Sequence, residues 1–234
     1  MGYQTVFKRY EMKYLISEEE ACALLAAMGN SMIPDRYPRA TVRNVYYDTE
    51  DFRLIRASIE RPIFKEKLRL RSYAQLGARD CAFIELKRKY RHEVYKRRLP
   101  LPLCEAEGWL AHTKSPPAPT QIAEEIAYLL SFYQPLLPRV FLSYEREAYL
   151  LAGTDVRITL DRNILARTDG LSLSLPPGGT PLLPEGQVLM ELKCGGGLPL
   201  PLVSHLSQGG IYKSRFSKYG EAYKRIIFET LHRK

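Results

Sequence analysis

Polar and apolar residues alternate along most of this chain. In KLRLRSY (residues 67–73), a β-strand puts Lys67, Arg69, Arg71 and Tyr73 on one face and Leu68, Leu70 and Ser72 on the other, because strand side chains alternate with a period of two. The same pattern predicts strands over residues 7–16, 40–50, 64–74, 81–91, 139–151, 156–164 and 187–194, with 92–101 as a hairpin partner or continuation of 81–91. Ser17 followed by Glu20 has the spacing of a capping box and opens a helix over 18–29. Further helices are expected over 121–133, 200–208 and 217–232, and SLPPGGTPLLPEG (174–186) is a loop or turn. The Pro-rich TKSPPAPT (113–120) interrupts the pattern, but the alternation resumes beyond it. The expectation is one domain over residues 1–234.

A half-buried antiparallel sheet with its charged face in water accounts for any one of these strands. Recurrence changes the reading. Arg9, Glu11 and Lys13 share a face, as do Glu85, Lys87 and Lys89, then Arg157, Thr159 and Asp161, then Glu191 and Lys193. Neighbouring cations on one strand face lie about 6–7 Å apart and repel by about 2.5 kcal/mol at an effective dielectric near 20. A polyanion between such faces offsets that repulsion. The pattern therefore predicts an α+β fold: an antiparallel, roughly eight-stranded β-barrel whose charged faces converge on one ligand, with flanking helices on its apolar outside.

Charge narrows the ligand. The chain carries 35 Lys+Arg against 26 Asp+Glu, a formal net charge of +9, which favours nucleic acid, an anionic membrane surface or a phosphorylated small molecule. Nucleic acid is the weakest of these, because the charged strand faces lack the aromatic stacking platform of single-strand binders. Cys22, Cys81, Cys104 and Cys194 form no CxxC pair, so neither a zinc site nor a disulfide framework is indicated and a reducing cytoplasm is expected. The opening MGYQTVFKRYEMK lacks the apolar core of a signal peptide, and no apolar run is long enough to span a membrane. His92, His112, His205 and His232 have no partner spacing and read as surface residues. The glycines at 195–197 lack the Lys-Ser/Thr of a P-loop. Tyr46 and Tyr47 suit the core as well as a ligand.

Eight segments in order, RYEMKYLI, VYYDTED, LRLRSY, FIELKRKY, YEREAY, VRITLDRNI, VLMELKC and RFSKYGEAY, resemble the catalytic domain of the vacuolar transporter chaperone (VTC) complex. That domain is the polyphosphate polymerase branch of the triphosphate tunnel metalloenzymes, a CYTH-like superfamily. The resemblance runs over roughly residues 5–228. It implies a β-barrel tunnel that binds the triphosphate of ATP with a divalent metal, Mn²⁺ or Mg²⁺, and transfers the γ-phosphate to a growing inorganic polyphosphate chain. A tunnel triphosphatase hydrolysing ATP or inorganic triphosphate and a non-catalytic polyphosphate or nucleotide sensor share the pattern. The resemblance also implies a separately encoded membrane partner as one arrangement, and leaves the oligomeric state open.

Carried over by position, the resemblance implies that Lys13, Arg69, Arg71, Lys87, Arg146, Arg157, Lys193 and Lys218 contact phosphate. Arg69, Arg71, Lys87, Arg146 and Lys218 are the residues implied in catalysis, with Lys96 or Arg97 filling one more basic position. Glu191 is the implied metal ligand, with Glu11 and Glu85 as metal ligands or internal counter-ions. Asp161 reads as structural, capping a strand end or pairing with a cation. These residue types suit phosphoryl transfer, which asks for positioning and charge neutralisation: arginine grips phosphate oxygens in pairs and lysine acts as a point charge. One departure stands out. Where the wider family often begins Glu-x-Glu-x-Lys, this chain reads Arg9-x-Glu11-x-Lys13, which adds positive charge and removes a metal ligand. That leans toward holding a long polyanion and away from hydrolysis.

Overall fold

The structure, a computed structural model, describes residues 10–60, 62–91 and 93–229. Arg9, His92 and His232 lie outside the described residues. The chain divides into two compact units, each assembled from separated stretches. The first comprises 10–41, Tyr144–Ile164 and Pro181–Lys218; the second comprises Val42–Ser143, Leu165–Thr180 and 219–229. The Pro-rich stretch at 113–120 therefore falls inside the second unit and marks no boundary.

In the first unit, β1 (Tyr10–Ser17), β9 (Gln187–Cys194), β7 (Arg157–Arg167, to Ile164) and the second half of β6 (Leu137–Leu151) pair in that order. The β1–β9 and β9–β7 ladders are antiparallel. Helix α1 (Glu18–Met28) starts at Ser17, whose hydroxyl accepts from the Glu20 amide at 3.1 Å while the Glu20 carboxylate accepts from the Ser17 amide at 2.7 Å. The expected capping box is present. Ala21 and Leu24 of α1 and Leu202 and Leu206 of α5 (Leu200–Gln208) pack on Ile158, Leu160, Val188, Met190 and Leu192, the apolar strand faces. The opposite faces are left for charge.

In the second unit, the first half of β6, then β2 (Met32–Asp48, from Val42), β3 (Phe64–Ser72), β4 (Cys81–Tyr90) and β5 (Glu93–Pro102) follow one another. β5 is the hairpin partner of β4, in antiparallel register from Cys81↔Pro102 to Tyr90↔Glu93. Three helices serve the apolar side: α2 (Arg53–Glu60), α3 (Leu103–Leu110) and α4 (Gln121–Phe132). Ala123, Ile126, Leu129 and Leu130 of α4 join Leu68, Leu70, Ile84 and Leu86 in one core. The spacing of those α4 residues is the helical stripe the sequence predicts. A two-residue strand, β8 (Thr180–Pro181), pairs with β7 inside the expected loop, and α6 (Lys218–Ala222) runs into a π-helical stretch, Tyr223–Phe228. At Gly179 φ is +123°, and an added Cβ would lie 2.2 Å from the Ala166 carbonyl oxygen, so only glycine fits there.

The antiparallel α+β class holds. Three details differ from expectation. Among the described residues neither run of strands closes on itself by a ladder. The helices α2 and α3 are also additions. α2 is eight residues long and takes its capping from Asp48, whose oxygens accept from the amides of Leu54 (2.8 Å) and Ile55 (3.0 Å). Thr49 Oγ1 adds a second cap, accepting from the Arg53 amide at 2.8 Å; both caps sit at or just past the end of β2 and neither has the spacing of a capping box. α3 follows Pro102 with no side-chain cap and contains Gly108, a weak helix former. β2 starts eight residues before the predicted strand despite Pro34 and Pro38, where exposed positions tolerate proline.

Candidate functional site

Each unit carries one buried carboxylate cluster ringed by cations, on the strand face opposite its core.

In the second unit, register builds the cluster. Tyr46, Arg69, Glu85 and Arg98 form one cross-strand row over β2, β3, β4 and β5. Directly opposite side chains on one sheet face lie about 4.5–5.5 Å apart at Cβ, so the charges must meet. The Glu85 side chain is 1% exposed. Its Oε2 accepts from Arg69 Nε at 2.9 Å and Nη2 at 2.6 Å, with Arg71 Nη1 at 3.5 Å. Its Oε1 accepts from Arg98 Nε at 2.8 Å and faces Lys96 Nζ at 2.8 Å. Burial pulls the Glu85 carboxyl up, but Arg69, Arg71, Lys96 and Arg98 outweigh it and hold the group well below the usual carboxylate range. The arginines are fixed further: Arg69 Nη1 donates to Tyr46 Oη at 2.9 Å, and Arg71 Nε donates to Asn44 Oδ1 at 2.8 Å. Tyr46 stacks on Tyr219 at 4.5 Å, and Tyr219 donates to Asp48 at 2.9 Å. Adjacent to this row, Lys67, Lys87 and Lys96 form a row of lysines. Like charges directly opposed across strands are destabilising, so this arrangement is maintained against a cost.

In the first unit, Glu191 sits beside Lys13 on the β1–β9 register and beside Thr159 on β7. Lys218 Nζ lies between Asp161 (2.5 Å) and Glu191 (3.1 Å). Arg146 donates Nε and Nη2 to the two Asp161 oxygens at 2.6 and 2.7 Å and stands 3.5 Å from Glu191. Lys13 and Lys193 complete the ring around Glu191 at 3.7 and 3.5 Å. Burial alone raises both carboxyls. For Glu191, the cations Lys218, Lys13, Lys193 and Arg146 reverse that and hold it well below its ordinary value. Lys218 and Arg146 likewise lower Asp161 against the effect of burial. Burial lowers Lys218, but Asp161 and Glu191 raise it above an ordinary lysine. The Tyr144 ring lies 4.5 Å from Lys218 Nζ and 5.1 Å from the Arg146 guanidinium carbon. Nearby, a cavity of about 570 Å³ opens between Arg39, Ala40, Thr41, Glu145, Arg146, Glu147 and Arg162.

Of the residues expected to contact phosphate, Arg69 and Arg71 gather at Glu85, Lys87 lies one row away, and Lys13, Arg146, Lys193 and Lys218 gather at Glu191. Arg157 is placed differently: its Nε and Nη2 both reach Asp35 Oδ2 at 2.7 Å. The register separates Lys96 from Arg97, since Lys96 faces Glu85 while Arg97 donates to Glu125 of α4 at 3.1 Å. Asp161 pairs with cations, one of its two expected structural roles. Arg98 and Asn44 were not singled out by sequence; the β4–β5 pairing of Glu85 with Arg98 was the signal available for the first, and none existed for the second.

The carboxylates expected to bind metal can be tested against their surroundings. Both Glu191 oxygens face cations, as do both oxygens of Glu85, and Glu11 stands 3.7 Å from Lys13 Nζ. Among the described residues no three His, Cys, Asp or Glu side chains gather as a ligand set. A divalent ion takes several oxygen ligands free of competing cations. These protein groups alone do not fit a resident metal.

The family model of the VTC domain matches residues 8–227. The chain belongs to the VTC domain family. All eight segments quoted from the sequence fall within that match. Comparison with curated proteins gives no match. Among solved structures, a putative adenylate cyclase of Bacillus halodurans is similar at a TM-score of 0.55 and 15% identity, with 95% of this chain and 97% of that one covered. A second protein of the same description, from Vibrio parahaemolyticus, has a TM-score of 0.48 and 13% identity over 93% of this chain and 98% of that one. The first of these shows that this VTC domain shares its fold with the Bacillus halodurans protein. No helix of the described residues is long and apolar enough to cross a membrane.

Proposed function

We propose that this VTC domain is an ATP-dependent polyphosphate polymerase of the cytoplasm, and that each of the two clusters holds phosphate groups. One observation carries the reading: cations outnumber carboxylates at both. Among the described residues, Arg69, Arg71, Lys96 and Arg98 surround Glu85, and Lys13, Arg146, Lys193 and Lys218 surround Glu191 and Asp161, with Glu11 also beside Lys13. The carboxylates hold the cations in place without neutralising them, which leaves preorganised positive charge for an anion.

In the reaction, an oxygen of the terminal phosphate of the chain attacks the γ-phosphorus of ATP in line. The bond from that phosphorus to the bridging oxygen breaks, and ADP leaves with the electron pair. The arginines orient phosphate oxygens through paired donors, and the cations stabilise charge spread over the transferring group. Hydrolysis would also need a group to take a proton from water, and an efficient base has a pKa near the working pH. Glu85, Glu191 and Asp161 are all held well below that by their cations. They are poor bases, which favours a phosphate acceptor over water.

The test is incubation of the purified protein with ATP and Mn²⁺ or Mg²⁺, with products run on a gel stained for polyphosphate. A ladder is expected, and its loss in Glu191→Gln and Arg69→Ala. Free phosphate without a ladder would make the protein a triphosphatase; neither product would leave a sensor.

Lys96 gives a second readout. Burial, then Arg69, Arg98 and Arg71 against the pull of Glu85, push its pKa down to about 7. Between about pH 7 and 10 the unfolded chain therefore holds a proton at this lysine that the folded one lacks, so this group makes stability rise with pH in that window. A phosphate beside Lys96 favours the charged form. Binding of inorganic tripolyphosphate at pH 8 is thus expected to take up a proton, seen as a calorimetric enthalpy that depends on the buffer's ionisation enthalpy. Tripolyphosphate has a titrating proton of its own at this pH, so the Lys96 share is read as the difference: the wild type should take up more protons on binding than Lys96→Gln, and equal uptake in the two contradicts the assignment.

A further inference from the structure

At the Arg71 end of the β3–β4–β5 face, rings replace lysines, so this charged face does carry aromatic side chains, contrary to the expectation from sequence. Tyr73, the residue after β3, is 41% exposed, and its ring meets Phe83 of β4 edge to face at 6.0 Å between centroids. Arg98 binds the two rings to the phosphate cluster. Its guanidinium carbon lies 4.6 Å from the Phe83 centroid and 5.6 Å from that of Tyr73. Its Nη2 donates to the Tyr73 hydroxyl at 2.6 Å, and the same nitrogen also donates to Glu85. An exposed tyrosine is usually free to rotate, but here the hydroxyl and one edge are both fixed. A planar ligand stacking on this ring would lose little additional freedom.

From this arrangement we propose that Tyr73, supported by Phe83 and Arg98, is a stacking platform for the base of a nucleoside triphosphate whose phosphates lie against Arg98, Arg69 and Arg71. The proposal rests on the reading of the Glu85 cluster as a phosphate site and names the substrate class that site takes. A hydrogen-bonded arginine nitrogen shared by Tyr73 and Glu85 puts the ring within one guanidinium of the phosphate-binding cations. An inorganic triphosphate has nothing to place on the ring; a nucleotide has. Stacking reads the flat face of the base and not its edges, so the platform would accept more than one nucleobase.

The test compares ATP with inorganic tripolyphosphate by calorimetric titration of the whole protein, wild type beside Tyr73→Ala and Tyr73→Phe. ATP affinity is expected to fall about tenfold in Tyr73→Ala, toward the low end of what one base–aromatic stack is worth. It should largely persist in Tyr73→Phe, which keeps the ring, and tripolyphosphate affinity should stay within about twofold in both. Equal losses for the two ligands in Tyr73→Ala would make Tyr73 a positioning residue for Arg98 and overturn the platform. So would ATP binding indifferent to the substitution while tripolyphosphate still binds. A wild type that binds no tripolyphosphate would instead overturn the phosphate reading of the cluster, and the platform with it.

Discussion

Glu85→Gln is expected to lower the melting temperature by about 10 °C or more, and inorganic tripolyphosphate is expected to stabilise the variant more than it does the wild type. The substitution keeps shape and removes charge at a side chain that is 1% exposed and faces Arg69, Arg71, Lys96 and Arg98. Removing one partner of a buried ion pair costs about 3–5 kcal/mol because the other is left uncompensated, and about 1 kcal/mol shifts the melting point of a chain this size by roughly 2–4 °C. The ligand half of the prediction follows from the same charges. With the internal counter-ion gone, an added anion has more unneutralised positive charge to meet, so binding and its linked stabilisation both grow. Thermal melts with and without tripolyphosphate check both halves. A variant as stable as the wild type, with the same response to the anion, would mean the cluster is not held against its own repulsion.

The second large effect is expected at Lys218. Lys218→Met leaves Asp161 and Glu191, 0% and 8% exposed in their side chains, with Arg146, Lys13 and Lys193 but without the ammonium that lies between them. A loss of about 3–5 kcal/mol is expected in urea unfolding at pH 8, and the loss should shrink as pH falls. In the wild type, the folded pKa values of Asp161 and Glu191 are depressed. Their stabilisation is fully present above the unfolded carboxylate value near 4 and disappears only as pH drops through the lower folded values. Lys218 is raised, so its share persists up to the unfolded lysine value and is lost only as pH rises beyond, through the folded one. The wild type should therefore show no slope from this cluster between about pH 5 and 10. In Lys218→Met the two carboxyls compete for fewer cations, and protonating one relieves the repulsion. An unfolding free-energy deficit that is the same at pH 5 and pH 8 would sink this account of Lys218.

What the sequence made legible is the set of strand faces. The alternation in KLRLRSY, FIELK and VLMELK assigns Arg69, Arg71, Glu85, Lys87, Glu191 and Lys193 to charged faces, because the period of a strand is local information. Which charges meet is set by register and by the return of distant segments, and neither is local. Asn44 reaches Arg71 only through the β2–β3 ladder, and Asp35 captures Arg157 from 122 residues away in sequence. For the same reason the sequence leaves Glu85 as either a metal ligand or a counter-ion, and only the strand register brings four cations to it. The sequence does not show α2 because its caps, Asp48 and Thr49, lie at and just past the end of the strand before it, without the spacing of a capping box. The capping box at Ser17 and Glu20 was readable because both partners lie within one turn.

The measurement that bears most directly on the central claim follows the γ-phosphate itself. The protein is given γ-labelled ATP with Mn²⁺ or Mg²⁺, and labelled long-chain polyphosphate is separated from labelled orthophosphate over time. The account predicts that label accumulates in lengthening chains in proportion to ADP released. Label appearing only as orthophosphate would contradict it, and would show that water, not phosphate, is the acceptor.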